Sequence, residues 1–176
     1  MPQLTRKQKQ WLVSAHVSTG ALWFGTAVCM VVISLHHQNP TSGDELYLAQ
    51  ETIQILDEVV IVPAASLSLL TGGLLSWLTV WGFTKFYWVI SKWVVTLALI
   101  IFGTFWLGQW TNAATAIAET ERLKALQNPL FMFDSHSALI GGVIQTVCLL
   151  GIIAVSILKP WGRRDTKKAE KATAEA

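Results

Sequence analysis

Apolar and polar residues alternate along this chain in long blocks. Four blocks that are mostly apolar come close to the ~20 residues that a helix needs to cross the hydrocarbon core of a bilayer. They cover residues 11–35, 59–81, 87–106 and 137–158. The pattern therefore predicts an all-α fold, a bundle of four transmembrane helices.

Two polar segments are expected to lengthen the second and third helices. Segment 44–57 has helical spacing and leads directly into the second apolar block, and segment 111–126 is rich in good helix formers. The second segment meets no helix breaker before Asn128-Pro129. We therefore expect helices two and three to protrude on the same side of the membrane and to pair there.

The chain shows no internal repeat and no shift in composition that would mark a domain boundary. We expect a single transmembrane domain over residues 1–161. A short apolar segment after Pro129, residues 130–133, leads back toward the membrane, and we call it the apolar return. It is followed by Asp134 and Ser135, and one of these two is expected to cap the fourth helix. The charged, Ala-rich tail 162–176 is expected to be disordered and cytoplasmic.

Basic residues flank the apolar blocks unevenly. Three precede the first block, Lys85 separates the second from the third, and six follow the fourth, whereas the first loop holds five acidic residues and no Lys or Arg. The positive-inside rule then predicts both termini in the cytoplasm and the extended ends of helices two and three outside. The terminal basic residues include Arg6, Lys7, Lys9, Lys159, Arg163, Arg164, Lys167 and Lys168.

Composition agrees with this topology, because 52% of the residues are hydrophobic and only 14% are charged. The formal net charge of +2 comes from basic residues near the two ends, which indicates membrane orientation rather than a nucleic-acid partner. We expect a multi-pass protein of the bacterial inner (plasma) membrane, with the lipid bilayer as its environment.

Stripes of small and polar residues run along the spans at helical spacing. Such stripes let membrane helices approach one another closely, so they predict packing faces. The stripe on helix two is Ala65, Ser68, Gly72 and Ser76, and that on helix four is Ala138, Gly142, Gln145 and Cys148.

Two ionisable residues interrupt the predicted spans. His16 lies ~7 Å inside Trp11 along the helix axis, and Lys92 lies ~6 Å inside Trp88. Both distances start from the predicted cytoplasmic end, so the two side chains should share a depth. An ionisable residue within a span is costly and indicates a functional site. The alternatives are that Lys92 snorkels to the headgroups and that His16 only bonds a Ser or a backbone carbonyl.

The surroundings of His16 suit a haem. An imidazole in a helical bundle is a common axial ligand, and Gly20, one turn away on the same face, leaves room for a flat macrocycle. Trp23 continues that face, and Lys92 at the same depth could pair with a propionate. No other His and no Met shares this leaflet, so the iron is expected to be five-coordinate or completed by another group.

A second set of candidate ligands lies at the predicted outer end. Imidazole and carboxylate groups suit Zn, Cu or Mn, although the spacing matches no tight metal motif and such residues at helix ends are often solvated caps. No Gly-rich phosphate loop, catalytic carboxylate pair or Ser-His-Asp pattern favours a kinase or hydrolase. The candidates are His36 and His37 ending helix one, Asp57 and Glu58 opening helix two, and Asp134 and His136 opening helix four.

The run 15–25, which contains His16, Gly20 and Trp23, resembles the first helix of the CopD/HemJ-like superfamily of four-helix integral membrane proteins. The likeness continues in chain order and covers all four spans. It includes Pro63-Ala64, Gly72-Gly73-Leu74, the segment 88–92 that ends in Lys92, and Leu158-Lys159-Pro160-Trp161.

This resemblance implies roles for two residues. In HemJ-type protoporphyrinogen oxidases the residue matching His16 is taken to bind haem b, and the residue matching Lys92 is needed for activity. Those enzymes carry an Arg and an Asn-Glu pair before helix four, where this chain has Phe-Met-Phe-Asp-Ser-His at 131–136. The long outer extensions are more similar to the uncharacterised integral membrane proteins of the same superfamily.

Three hypotheses about function follow. The first is a haem-b-binding redox enzyme that acts on porphyrin or quinone with an electron-transfer partner, with Lys92 as the catalytic residue. The second is a protein that handles copper or another metal through His36, His37 and His136. The third is a non-catalytic accessory subunit whose protruding helices dock a partner. A homo-oligomer is compatible with each of them.

Overall fold

A computed structural model describes residues 4–162 and residue 164 of the chain. It contains four helices that are long and apolar enough to cross a membrane. In chain order they are α1 (Arg6–His36), α2 (Gly43–Leu78), α3 (Tyr87–Gln127) and α4 (Pro129–Leu158). No strand occurs in the described residues. The predicted all-α four-helix bundle is therefore confirmed.

Helix α1 begins before its apolar block because a capping box fixes its first turn. The Thr5 hydroxyl accepts a hydrogen bond from the backbone N–H of Gln8, and the Gln8 side chain accepts one from the N–H of Thr5. These two bonds satisfy backbone donors that the first helical turn would otherwise leave free. The helix ends at His36, where the N–H of His37 still bonds the Ile33 carbonyl.

Helices α2 and α3 both change to π-helical hydrogen bonding near their middle, over Asp57–Ile61 and Gly103–Leu107. The first π segment lies just before Pro63, which has no N–H to donate, so the hydrogen-bond ladder must adjust there. Both helices nevertheless continue beyond the membrane part. The extension of α2 therefore runs directly into its span, as the sequence predicts.

The extensions of α2 and α3 pack against each other, which confirms the predicted pairing. Their contact is closed by a cluster of small and large apolar side chains that also takes in the start of α4. Small residues on α3 let the two backbones approach closely, because Ala114 and Ala118 are fully buried. The cluster consists of Leu46, Ala114, Ala118, Ala125 and Phe131.

The fourth helix starts earlier than predicted. Asn128 is the N-cap, and its side chain accepts a hydrogen bond from the N–H of Leu130. Pro129 occupies the first helical position, where its fixed φ suits a helix and its missing N–H costs nothing. The expectation of a cap at Asp134 or Ser135 is therefore wrong, since the apolar return after Pro129 is the first turn of α4.

A second apolar cluster holds the membrane parts of all four helices together. Small residues of α2 let α1 approach closely, and the large Trp23 fills the centre with only 3% of its surface exposed. In this half α2 packs on α1, α1 on α4 and α4 on α3. The cluster consists of Trp23, Ala27, Ile61, Ala64, Ala65, Leu99 and Leu149.

The start of α1, the α2–α3 loop and the end of α4 meet at one end of the bundle, which we call the basic end. The Nζ atoms of Lys9 and Lys159 lie 5.1 and 5.8 Å from the Trp81 ring centroid. Trp81 and Trp88 pack edge to face at 5.9 Å. We call the opposite end the extended end. Cytoplasmic orientation of the basic end stays a prediction, and the predicted tail lies outside the described residues except for Gly162 and Arg164.

Candidate functional site

The ring of His16 lies against α2 in the half of the bundle nearest the basic end, which we call the basic half. Its Nδ1 is 3.1 Å from the Ser68 carbonyl oxygen and 3.0 Å from Oγ1 of Thr71. A Cβ built on Gly72 would lie 3.2 Å from Cε1 of the ring, which is closer than an ordinary van der Waals contact. The imidazole can therefore pack against α2 at this position because Gly72 has no side chain.

These contacts fix which ring nitrogen carries a proton. A backbone carbonyl can only accept, and the Thr71 hydroxyl already donates to the Leu67 carbonyl at 2.7 Å. Nδ1 of His16 must therefore be the donor to both oxygens. In the neutral ring Nε2 then holds a lone pair, and it has no hydrogen-bond partner among the described residues. A carbonyl bond at one nitrogen that leaves the other free is typical of metal-ligating histidines.

Lys92 lies on the interior face of α3. Its neighbours one turn before it, Trp88 and Val89, are buried, and so is Leu99 two turns after it. The ammonium is close enough to His16 for a Coulombic interaction between the two groups. Within the part of the chain that the structure describes, Lys92 makes no ion pair. The basic half thus presents one free imidazole lone pair and one unneutralised ammonium.

The other two residues predicted for this site lie one and two turns further along α1. A Cβ built on Gly20 would meet no atom within 4 Å, so the space beside this residue is open. Trp23 is buried in the central cluster, and its indole Nε1 has no hydrogen-bond partner. An open flank, an unpaired donor, an ammonium and an imidazole lone pair are groups that fit a haem with its anionic propionates.

The structure brings only part of the predicted outer set together. His37, Asp57 and His136 line a common cavity of about 210 Å³ at the extended end, whereas His36 and Glu58 are exposed outside it. Nδ1 of His37 donates to the Ile33 carbonyl at 3.0 Å. In residues 4–162, no three His, Cys, Asp or Glu side chains are grouped so that they could hold a metal ion. The predicted metal site therefore gains no support.

Two features of this cavity are not predicted by the sequence pattern. Gln145 belongs to the predicted packing stripe of α4 and is 5% exposed, but it is also one of the residues that line the cavity, and its Oε1 is buried without a hydrogen-bond partner. The cavity also lies beside both π segments, because Asp57, Ile61 and Leu107 contribute to its wall. An unpaired amide is a recognisable signal only once its neighbours are known, so the sequence pattern could not identify it.

Comparison of the chain with protein-family models, with curated proteins and with solved structures gives no significant match.

Proposed function

We propose that this chain is a haem-b-binding membrane protein in which His16 is the axial ligand through Nε2. The observation that carries the proposal is the pair of contacts from Nδ1 to Ser68 and Thr71, which leaves Nε2 as the free coordinating atom. The hydrogen bond to the Ser68 carbonyl also orients the ring and increases the basicity of the ligating nitrogen. The resemblance to the CopD/HemJ-like superfamily supports the same assignment.

Lys92 is proposed as the electrostatic partner of an anionic group at this site, either a haem propionate or a carboxylate of a porphyrin substrate. Its ammonium has no acidic partner among the described residues, and an unpaired charge inside a span is otherwise costly. Trp23 would offer its unpaired N–H as a neutral donor. A bound haem b would supply one-electron transfer, and porphyrin or quinone is the proposed substrate class.

The proposed setting is the bacterial inner membrane with the basic end in the cytoplasm. Three aromatic–cation contacts at that end, from Lys9 and Lys159 to Trp81 and Trp88, support it. Trp and Lys side chains of this kind are typical of a membrane interface. The site would then lie in the cytoplasmic leaflet, within reach of a cytoplasmic electron-transfer partner.

The absorption spectrum of the purified protein tests this proposal. The full chain is expressed in haem-supplied cells and purified in detergent, and a Soret band is expected. His16→Ala should remove at least nine tenths of the band, because no second His or Met lies in that half among residues 4–162. Lys92→Met should keep the band but weaken haem retention several-fold.

His136→Ala is the matched control, because His136 is an exposed histidine at the opposite end. It should retain the full Soret band, and circular dichroism should show equal helix content in all variants. A colourless wild-type protein would contradict the proposal. So would a Soret band that survives in His16→Ala.

The other two hypotheses have less support. Metal handling lacks a ligand group in residues 4–162. The accessory-subunit hypothesis depends on the protruding helices, and their facing surfaces are already buried against each other. It stays a prediction.

A further inference from the structure

The cavity at the extended end is a built site rather than a packing defect. It is lined by residues of all four helices and is partly open, and its volume of about 210 Å³ exceeds the roughly 150 Å³ that suffices for benzene in a protein interior. Apolar side chains such as Met30, Ile53 and Phe131 form much of its wall. The space could therefore hold a six-membered ring with one substituent.

Two of the residues that line this cavity, Asp57 and Gln145, carry oxygen acceptors without a partner among the described residues. Gln145 is 95% buried, and its Oε1 has no partner. The Asp57 carboxylate makes no ion pair within the described residues. Buried polar atoms in native proteins are nearly always paired, so an unpaired acceptor in a roomy cavity indicates a missing donor.

Both acceptors face the same stretch of α3. A Cβ built on Gly103 would lie 3.6 Å from Oε1 of Gln145, and one built on Gly108 would lie 3.8 Å from Oδ2 of Asp57. Gly103 is the first residue of the π segment of α3, and Gly108 is the residue that follows it. The N–H of Gly108 donates a hydrogen bond to the Gly103 carbonyl. The two oxygens are thus about one helical turn apart along α3. π segments are frequent at functional sites because they reposition side chains without ending the helix.

The charge of the residues that line the cavity favours a ligand that is positively charged. Asp57 is the only carboxylate that lines the cavity, and no Lys or Arg in the described chain lines it. His37 and His136 are the other titratable groups there, and Nε2 of a neutral His37 is a further acceptor because Nδ1 donates to Ile33. Acceptors therefore dominate, and the one formal charge is negative.

We propose that this cavity binds a small organic cation, a primary or secondary amine with an apolar body. The ammonium would lie against Asp57 and donate to Gln145, and the apolar body would fill the space between Met30, Ile53 and Phe131. This site is separate from His16 and does not depend on haem. A metal ion would leave most of the volume empty and would lack a third ligand among residues 4–162.

Equilibrium dialysis of the detergent-solubilised full chain tests the proposal with benzylamine and its neutral analogue benzyl alcohol. Benzylamine should bind saturably at one site per chain, and at least tenfold more tightly than benzyl alcohol. Asp57→Asn, which keeps the shape of the side chain, should weaken benzylamine binding at least tenfold and leave benzyl alcohol unchanged. Gln145→Leu should weaken benzylamine binding as well.

Glu58→Gln is the matched control, because Glu58 is the next carboxylate on α2 but is exposed and does not line the cavity. It should bind benzylamine like the wild type, and so should His16→Ala. Absence of saturable binding would overturn the proposal. Equal affinity for the amine and the alcohol would do so too, as would an equal loss in Asp57→Asn and Glu58→Gln. Stoichiometric displacement of benzylamine by zinc or copper would replace the organic cation with a metal.

Discussion

The two ends of this bundle offer different kinds of polar group. At the basic end, the His16 ring is pinned at one nitrogen and leaves a single lone pair, with the Lys92 ammonium nearby. At the extended end, Asp57 and Gln145 leave unpaired oxygens around a volume of about 210 Å³. Neither His16 nor Lys92 lines that volume. The first site would recognise a ligand through one coordinate bond, and the second through the volume of its cavity and the charge of Asp57.

The difference arises from how α2 meets its neighbours. In the basic half, α1 rests directly on α2 because Gly72 leaves room for an imidazole but for little more. Toward the extended end, the π segments of α2 and α3 interrupt regular packing, and Gly108 leaves the Asp57 carboxylate uncovered. Close packing positions one side chain, whereas irregular packing creates space. Substitutions at either end should therefore act independently.

The largest expected effect is at Gly72. Gly72→Val places branched carbons where the His16 ring lies, since even a Cβ would be 3.2 Å from Cε1. The ring must move off Ser68, so we expect the haem content to fall more than tenfold, nearly as far as in His16→Ala. Benzylamine binding at the extended end should not change. Absorption spectra and equilibrium dialysis on the same preparation measure both quantities.

Gly151→Val is the control for the cost of a β-branched residue in a helix, because a Cβ on Gly151 would meet nothing within 4 Å. It should keep the wild-type Soret band. A Gly72→Val protein with normal haem content would show that haem binding does not depend on the packing of the His16 ring against Gly72.

Hydrophobic periodicity predicts most of the fold. Block length defines the four spans, and helix-forming composition up to Asn128-Pro129 predicts the long extensions and their pairing. The start of α4 is misjudged because Asp134 and Ser135 are good caps in isolation, whereas Asn128 followed by Pro129 satisfies the same requirement five residues earlier. Local propensity cannot choose between two valid caps; the burial of Phe131 against the extensions does.

The candidate sites are predictable to different degrees. Depth along an ideal helix is a local quantity, so counting residues is enough to predict that His16 and Lys92 share a level. The contact of His16 with Gly72 and its hydrogen bond to Ser68 join residues more than fifty positions apart, and hydrophobic periodicity does not predict such contacts. Gln145 has the spacing of a packing residue, and its unpaired oxygen lies opposite the π segment of α3, which the hydrophobic pattern does not predict.

A smaller effect is expected where the extension of α2 meets the end of α3. A Cβ on Gly43 would lie 2.5 Å from Cβ of Arg122 and 3.1 Å from the backbone nitrogen of Leu123. Gly43→Ala must therefore displace the 3₁₀ turn Arg122–Gln127, and overpacking of this kind costs about 1–3 kcal/mol. The thermal unfolding midpoint in detergent should fall, with the Soret band unchanged below the transition.

Gly142→Ala is the companion variant, since its Cβ would make only an ordinary contact at 3.6 Å with Val31. We expect it to unfold close to the wild-type temperature. An equal loss of stability in the two variants would mean that the turn at Arg122 yields without cost.

The smallest effect is expected at the ion pair between Arg122 and Asp44, which are 3.5 Å apart with side chains 43% and 86% exposed. Exposed pairs of this kind contribute about 0–1 kcal/mol, and salt screens them. Arg122 also lies 4.4 Å from the Tyr47 ring centroid, so its position does not depend on Asp44 alone.

Asp44→Asn should therefore lower the free energy of unfolding by less than about 1 kcal/mol at low salt, and by almost nothing in 1 M NaCl. Thermal melts at the two ionic strengths measure this difference. A loss that persists at high salt would contradict this prediction, because the attraction between two exposed charges is screened at that ionic strength.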